Sequence, residues 1–211
     1  MSLFVTFEGP DGSGKTTQIA LLADHLRRQG YSVIATREPG GTAIGDQVRE
    51  VLHTLRNREM RPTTELLLYC ASRAQLVGEV IRPHLERGGI VLSDRYADSS
   101  LAYQGYGRGL NLAGLRSVLA LATGGLRPDL TVLLDIDADE GLRRRQGSGG
   151  EWNRLDQEAV DFHRRVREGY LALARAEPDR WVLLDAARGV EEVQADVRTA
   201  VVKRLDAKRN E

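Results

Sequence analysis

Leu3 to Thr17 reads LFVTFEGPDGSGKTT. Five residues with β character, Leu3 to Phe7, run directly into Gly9-Pro10-Asp11-Gly12-Ser13-Gly14-Lys15-Thr16, which satisfies G-x-x-x-x-G-K-[ST] at every fixed position. Successive backbone N–H groups in such a loop turn inward and cradle phosphate oxygens. Glycines are needed where a Cβ would block the backbone angles or the approach of the anion. The loop opens a helix at about Lys15, and the free N–H groups of that helix add positive potential at the same point. Gly9, Pro10, Asp11, Gly12, Ser13, Gly14, Lys15, Thr16 and Thr17 are therefore read as a nucleotide-phosphate cradle. Lys15 reaches the outer phosphates, and the Thr16 hydroxyl completes a Mg²⁺ shell.

Working outward, 211 residues suit one domain with a sizeable core, read here as a single unit over 1–211. Thirty basic side chains balance thirty acidic ones, so no global field attracts nucleic acid or an anionic membrane. One cysteine, Cys70, excludes an internal disulfide and fits a reducing compartment. No apolar run approaches a membrane span, and no basic-then-apolar leader precedes the first strand, so a cytoplasmic location is expected.

Five apolar strands alternate with helices along the chain: Leu3–Phe7, Tyr31–Thr36, Ile90–Ser93, Leu130–Leu134 and Trp181–Leu184. The helix over 17–29 carries Ile19, Leu22 and Leu26 on one face. The longest helical signal, Thr63 to Glu86, predicts a buried stripe of Leu67, Cys70, Ala74, Val77, Ile81 and Leu85, interrupted near Pro83. This alternation predicts an α/β three-layer sandwich around a mostly parallel five-stranded sheet with right-handed crossovers. Ligands of such sheets bind at the carboxyl ends of the strands, where the phosphate loop, Glu38, Asp94-Arg95 and Asp135 converge.

A phosphate loop alone specifies a nucleotide, not a reaction. The N-K-x-D signature of GTPases is absent. A small-molecule kinase needs a second anion site facing the γ-phosphate, acceptor recognition and a means of excluding water. Arg95, at a strand end, and Arg37 and Arg49, flanking Pro39-Gly40-Gly41, supply candidates for the anion site, since a guanidinium matches phosphate bidentately. Tyr69 lies one turn before Arg73, so the pair can stack on a base and bond its carbonyl. Asp94 and Asp135 are alternative holders of Mg²⁺-bound water. Residues 143–154 place a glycine cluster in a basic connection, the pattern of a hinged lid.

Phe7 to Thr17, Thr36-Arg37-Glu38-Pro39-Gly40-Gly41-Thr42, Asp94-Arg95-Tyr96, Ser99 to Gly105 and Arg127-Pro128-Asp129-Leu130 together resemble the signatures of thymidylate kinases. The resemblance runs from about Leu3 to Leu205, in the family's order. It implies a P-loop NTPase fold, transfer of the ATP γ-phosphoryl to dTMP with Mg²⁺ in dTTP synthesis, and a homodimer. It places Asp11 near the sugar 3′-hydroxyl and Arg37, Arg49 and Arg95 around the acceptor phosphate. Tyr69 stacks on thymine, Arg73 bonds its O4, Ser100 and Gln104 meet the acceptor, Tyr103 disfavours a 2′-hydroxyl, and Glu38 borders the acceptor or metal.

One departure stands out. Relatives without a second basic residue in the phosphate loop supply a catalytic arginine from the lid, yet Gln146 to Asn153 contains none. Arg143, Arg144, Arg145 and Arg154 flank it, with Arg154 and then Arg144 the expected substitutes. The alternatives are a kinase of another nucleoside monophosphate or of a deoxynucleoside, and a nucleotide-binding module without kinase activity.

Overall fold

The computed structural model describes residues 2–147 and 153–209. Five strands, β1 (Leu3–Glu8), β2 (Val33–Arg37), β3 (Ile90–Asp94), β4 (Leu130–Asp135) and β5 (Trp181–Asp185), form one sheet in the order β2-β3-β1-β4-β5, every pair parallel. The first strand lies in the middle, and all six of its residues are buried. A parallel strand covered on both faces cannot alternate apolar with polar, which is why Leu-Phe-Val-Thr-Phe reads as a near-continuous apolar run.

Side chains of β1 divide between two layers. Leu3, Val5 and Phe7 pack against Ile19, Leu22 and Leu26 of α1 (Lys15–Arg28) and against Val193, Val197, Val201 and Leu205 of the last helix, Val190–Arg209. Phe4 packs on the other face with Leu76, Val77, Ile81 and Tyr96. Fully burying a leucine such as Leu22 or Leu26 contributes about 1.5–3 kcal/mol, so the α1 stripe anchors the helix and with it the loop before it.

Between β2 and β3 run α2 (Ala43–His53), α3 (Pro62–Leu76), a wide π-type turn (Val77–Ile81) and α4 (Arg82–Glu86). The long helical signal holds, and of the expected stripe Cys70, Val77 and Ile81 are buried and Leu85 half-buried, but two members face outward. Leu67 is 53% exposed and Ala74 is exposed, whereas Glu65, Leu66, Cys70, Ser72, Arg73 and Leu76 are buried. The face that points inward carries Glu65, Ser72 and Arg73 among its apolar residues, and the reason for that polarity lies in the site. The turn widens just ahead of Pro83, whose missing N–H cannot continue the regular ladder. A second element escaped the sequence reading. After β3, α5 (Ala97–Ser100) runs into another π-type turn, Leu101–Gly107, followed by α6 (Leu112–Thr123). Between β4 and β5 lie α7 (Ala138–Gly147) and α8 (Val160–Ala176), and α9 is Val190–Arg209.

Candidate active site

The loop after β1 is clamped from behind. A Cβ on Gly9 would sit 2.3 Å from the Leu134 carbonyl oxygen, and one on Gly12 would sit 2.1 Å from that of Gly141. Both glycines also hold positive φ, +135° and +78°. α1 begins at Lys15 with no side chain capping its first N–H groups, so these donors remain for an anion. Lys15 is 7% exposed, and its Nζ donates to the carbonyls of Gly9 (3.1 Å) and Pro10 (2.8 Å). Burial, with the nearby Arg95 charge, pulls its ammonium down to about 8.

Opposite the loop, Arg95 emerges from the end of β3 with φ 71°, the one described non-glycine residue in the left-handed region. Its N–H donates to the Phe7 carbonyl at 2.9 Å, which holds that turn against β1. Nη2 donates to Asp11 Oδ1 (2.7 Å) and to the Tyr103 hydroxyl (3.0 Å), while Tyr103 donates to Asp11 Oδ2 (2.8 Å). Burial disfavours the Asp11 anion, yet Arg95 and Lys15 outweigh it and hold the carboxyl well below the usual range. Asp11 thus ties the phosphate loop to the arginine facing it.

A cavity of about 440 Å³ opens between these groups. Arg37, Glu38, Arg49, Tyr69, Asp94, Ser100, Tyr103 and Gln104 line it with the loop residues, so most of the sequence-predicted site residues meet at one sheet edge. Arg49 Nη1 donates to the Pro39 carbonyl at 2.9 Å, and burial together with Arg37 lowers its pKa, an excess of positive charge that an anion relieves. Thr16 Oγ1 donates to Asp94 Oδ2 at 2.7 Å, placing two hard oxygen donors side by side. Asp135, the alternative, is held in a two-pronged pair by Arg167 at 2.7 and 2.9 Å and does not line the cavity.

Arg73 and Arg154 take different places from those expected. Arg73 is 1% exposed and sits one layer behind the cavity wall. Its guanidinium donates to Glu38 Oε2 (2.7 Å), Ser100 Oγ (3.0 Å) and the Tyr96 carbonyl (3.0 Å), two of which belong to wall residues. Glu38 Oε1 is buried with no hydrogen-bond partner among the described residues, and burial raises the Glu38 pKa despite Arg73. Arg154 is also off the wall. It is 5% exposed, pairs with Glu65, and its Nε donates to the Leu52 carbonyl at 3.3 Å. The cause is Glu65, a fully buried carboxylate that also accepts from Arg108 (3.1 Å) and Gln104 (2.8 Å) and needs this neutralisation. Arg144 and Arg145 do line the cavity. Arg144 donates to Glu140 and to the Ala186 carbonyl, both at 2.9 Å, and Arg145 pairs with Asp156 at 3.1 Å. Arg143 is exposed and pairs with Glu140. Of the expected lid, Ser148, Gly149, Gly150, Glu151 and Trp152 lie outside the described residues.

Sequence reasoning missed Glu8, Ser99, Tyr170 and His53. His53 lines the cavity one turn after Arg49, and burial, reinforced by Arg49, pulls its imidazole down to about 4. Tyr170 follows the apolar stripe of α8 and reads as core, whereas its hydroxyl reaches Glu8 and Arg95. Position at a strand end beside the loop was the available signal for Glu8. Among the described residues no group of three His, Cys, Asp or Glu side chains is placed to hold a metal, and no helix is long and apolar enough to cross a membrane.

The same architecture recurs in known proteins. A crystal structure of thymidylate kinase from Ehrlichia chaffeensis superposes with a TM-score of 0.77 at 33% identity, over 95% of this chain and 98% of that one. The thymidylate kinase of Deinococcus radiodurans is 57% identical over 202 residues, covering 96% of this chain and 97% of the relative. That of Roseiflexus castenholzii is 54% identical over 213 residues, covering 95% and 93%. The thymidylate kinase family model matches residues 7–197, from the end of β1 into α9. The chain therefore belongs to the thymidylate kinase family.

Proposed function

We propose that this chain is an ATP-dependent thymidylate kinase that converts dTMP to dTDP. The observation that carries the reading is the cationic cluster of Arg95, Arg49 and Arg37 facing the phosphate loop across one cavity, in a chain of this family. A neutral nucleoside needs no such cluster, and a hydrolytic module needs no second anion site. An oxygen of the acceptor monophosphate attacks the γ-phosphorus, and the bond to the β–γ bridging oxygen breaks, releasing ADP. The loop N–H groups and Lys15 hold the donor phosphates, and Arg95, braced by Asp11 and Tyr103, holds the acceptor in line. The Lys15 ammonium meets the transferring group from the loop, and Arg144, which with Arg145 brings α7 to the wall, is the second protein charge assigned to it.

Thr16 and Asp94 fit a Mg²⁺ ion, since both offer oxygen and stand next to each other at the start of α1. Bound there with the donor phosphates, the ion supplies charge neutralisation. Tyr69 stacks on the thymine. Gln104, whose amide N–H2 is held by Glu65, turns its carbonyl to a base N–H, and Arg73 acts on the base side through Ser100 and Glu38. Tyr103 stands where a ribose 2′-hydroxyl would enter. We also read the chain as one catalytic domain over 1–211, with 143–154 as its lid, acting in the cytoplasm without nucleic acid. A homodimer is supported by Ile44, Val51, Leu67 and Leu121, exposed apolar residues on α2, α3 and α6.

The test is ADP formation from ATP and Mg²⁺ with dTMP, dUMP, dCMP, dGMP, UMP, thymidine or no acceptor. Turnover dependent on dTMP, and exceeding that with thymidine by orders of magnitude, is the expected result. Equal use of thymidine, or ADP release without an acceptor, overturns the reading.

A further inference from the structure

Glu8, the last residue of β1, has a fully buried carboxylate that does not itself line the cavity. Its Oε1 accepts from the Tyr96 N–H at 2.8 Å. Its Oε2 accepts from the Ser99 hydroxyl at 2.5 Å and the Tyr170 hydroxyl at 2.9 Å. Those same two hydroxyl oxygens accept from Arg95 Nη1, at 3.3 Å from Ser99 and 2.9 Å from Tyr170.

A hydroxyl carries one hydrogen and two lone pairs. When both hydrogens are spent on an ionised Glu8, the lone pairs of Ser99 and Tyr170 face the guanidinium. The front of Arg95 is built the same way, because Tyr103 gives its hydrogen to Asp11 and its lone pairs to Nη2. Two carboxylates, one before and one behind, thus set the polarity of the Ser99, Tyr103 and Tyr170 hydroxyls around this arginine.

We propose that Glu8 is a positioning residue for the kinase reaction: through Ser99 and Tyr170 it fixes the Arg95 guanidinium in the orientation that receives the acceptor phosphate. The inference rests on the acceptor site proposed above. A neutral Glu8 leaves one hydroxyl hydrogen without its acceptor, and that hydrogen turns to the other hydroxyl oxygen, 2.8 Å away, where it takes up a lone pair that otherwise serves Arg95. The groups facing Glu8 allow such a change. Burial and the Asp98 carboxylate on α5 raise its pKa to about 7, against Ser99, Arg95 and Tyr170. Lys15 on α1 is the other cation that senses it. Asp98 is itself held by Arg180 at 2.6 and 3.0 Å.

Glu8→Gln tests this in the full-length protein. The amide is isosteric and presents N–H donors to the two hydroxyls, so the network stays bonded with its polarity reversed. We expect kcat/KM for dTMP to fall about tenfold or more while KM for ATP stays within about twofold, the scale of one misdirected charged hydrogen bond. The wild-type pH profile should carry a limb near pH 7 that the variant lacks. The limb at about pH 6 from the substrate's own phosphate stays in both. Stability supplies a reading that a structural role would not produce. A carboxyl whose folded pKa is raised loses stabilisation as pH rises through that pKa, so at about pH 8 the variant should melt no lower than wild type. If the variant keeps kcat/KM within about twofold at all pH values, or loses it only in step with a lower Tm, the inference falls. Tyr170→Phe, which removes one relay and keeps the carboxylate, should lose part of the dTMP rate and retain the limb. Wild-type behaviour of that variant also overturns the inference. A wild-type chain inert toward dTMP fails the acceptor reading itself, and so separates the two.

Discussion

Removing the Arg73 guanidinium while leaving Glu38 in place isolates the charge pair behind the acceptor wall. The side chains of the two residues are 1% and 2% exposed, and one Glu38 oxygen already lacks a partner among the described residues. In Arg73→Met the apolar stem stays, but a buried carboxylate loses its paired counter-charge, a change that costs about 3–5 kcal/mol. At about 2–4 °C per kcal/mol for a chain of this size, Tm should fall by roughly 6–20 °C. The cost must depend on pH in a defined direction. Burial already raises the Glu38 pKa above that of the unfolded chain, and loss of Arg73 raises it further. At low pH the carboxyl takes a proton and the variant approaches wild type. As pH rises through the folded pKa the stabilisation is lost, so the deficit should be larger at about pH 8 than at about pH 5.5. Denaturant melts at both values read this directly. The double variant Arg73→Met/Glu38→Gln should recover more than half of the deficit, because no unpaired charge remains. A single variant within about 1 kcal/mol of wild type, or a double variant no better than the single, would refute the reasoning.

Three further outcomes follow from the geometry. Lys15→Ala should retain its circular dichroism yet lose on the order of a hundredfold or more in kcat, the scale of a lost preorganised cation, and near-normal kcat would sink the assignment. Gly12→Ala, whose Cβ meets the Gly141 carbonyl at 2.1 Å and whose φ is +78°, should weaken ATP binding and lower Tm, as read by nucleotide titration and thermal melts. Arg154→Ala should act chiefly on stability, by stranding part of the Glu65 charge, whereas Arg144→Ala should lower kcat with little change in Tm. A kcat loss confined to Arg154→Ala would restore the arrangement expected from sequence.

Local rules made much of this protein legible before any coordinates. The phosphate loop is a contiguous motif, so strand, glycine turn and helix start are all written within fifteen consecutive residues. The parallel sheet followed from apolar runs alternating with helical periods, and the convergence of the loop, Glu38, Asp94 and Arg95 followed from strand ends sharing one edge, whereas Arg49 and Tyr69, on α2 and α3, were expected there from residue type and the family resemblance. What the chain order could not decide was which polar side chains turn inward. Periodicity marks apolar residues, so α3 seemed to bury Leu67 and Ala74, when the face pointing into the fold carries Glu65 and Arg73, each neutralised by residues dozens of positions away. Arg154 went the same way, drawn off the cavity by a carboxylate on a distant helix. Glu8 and Tyr170 stand 162 positions apart and meet only because the fold brings the Tyr170 hydroxyl of α8 to the end of β1. Hydrogen-bond satisfaction of buried charge is a property of three-dimensional neighbours, and only the tertiary structure could choose among arginines that the sequence presents as equals.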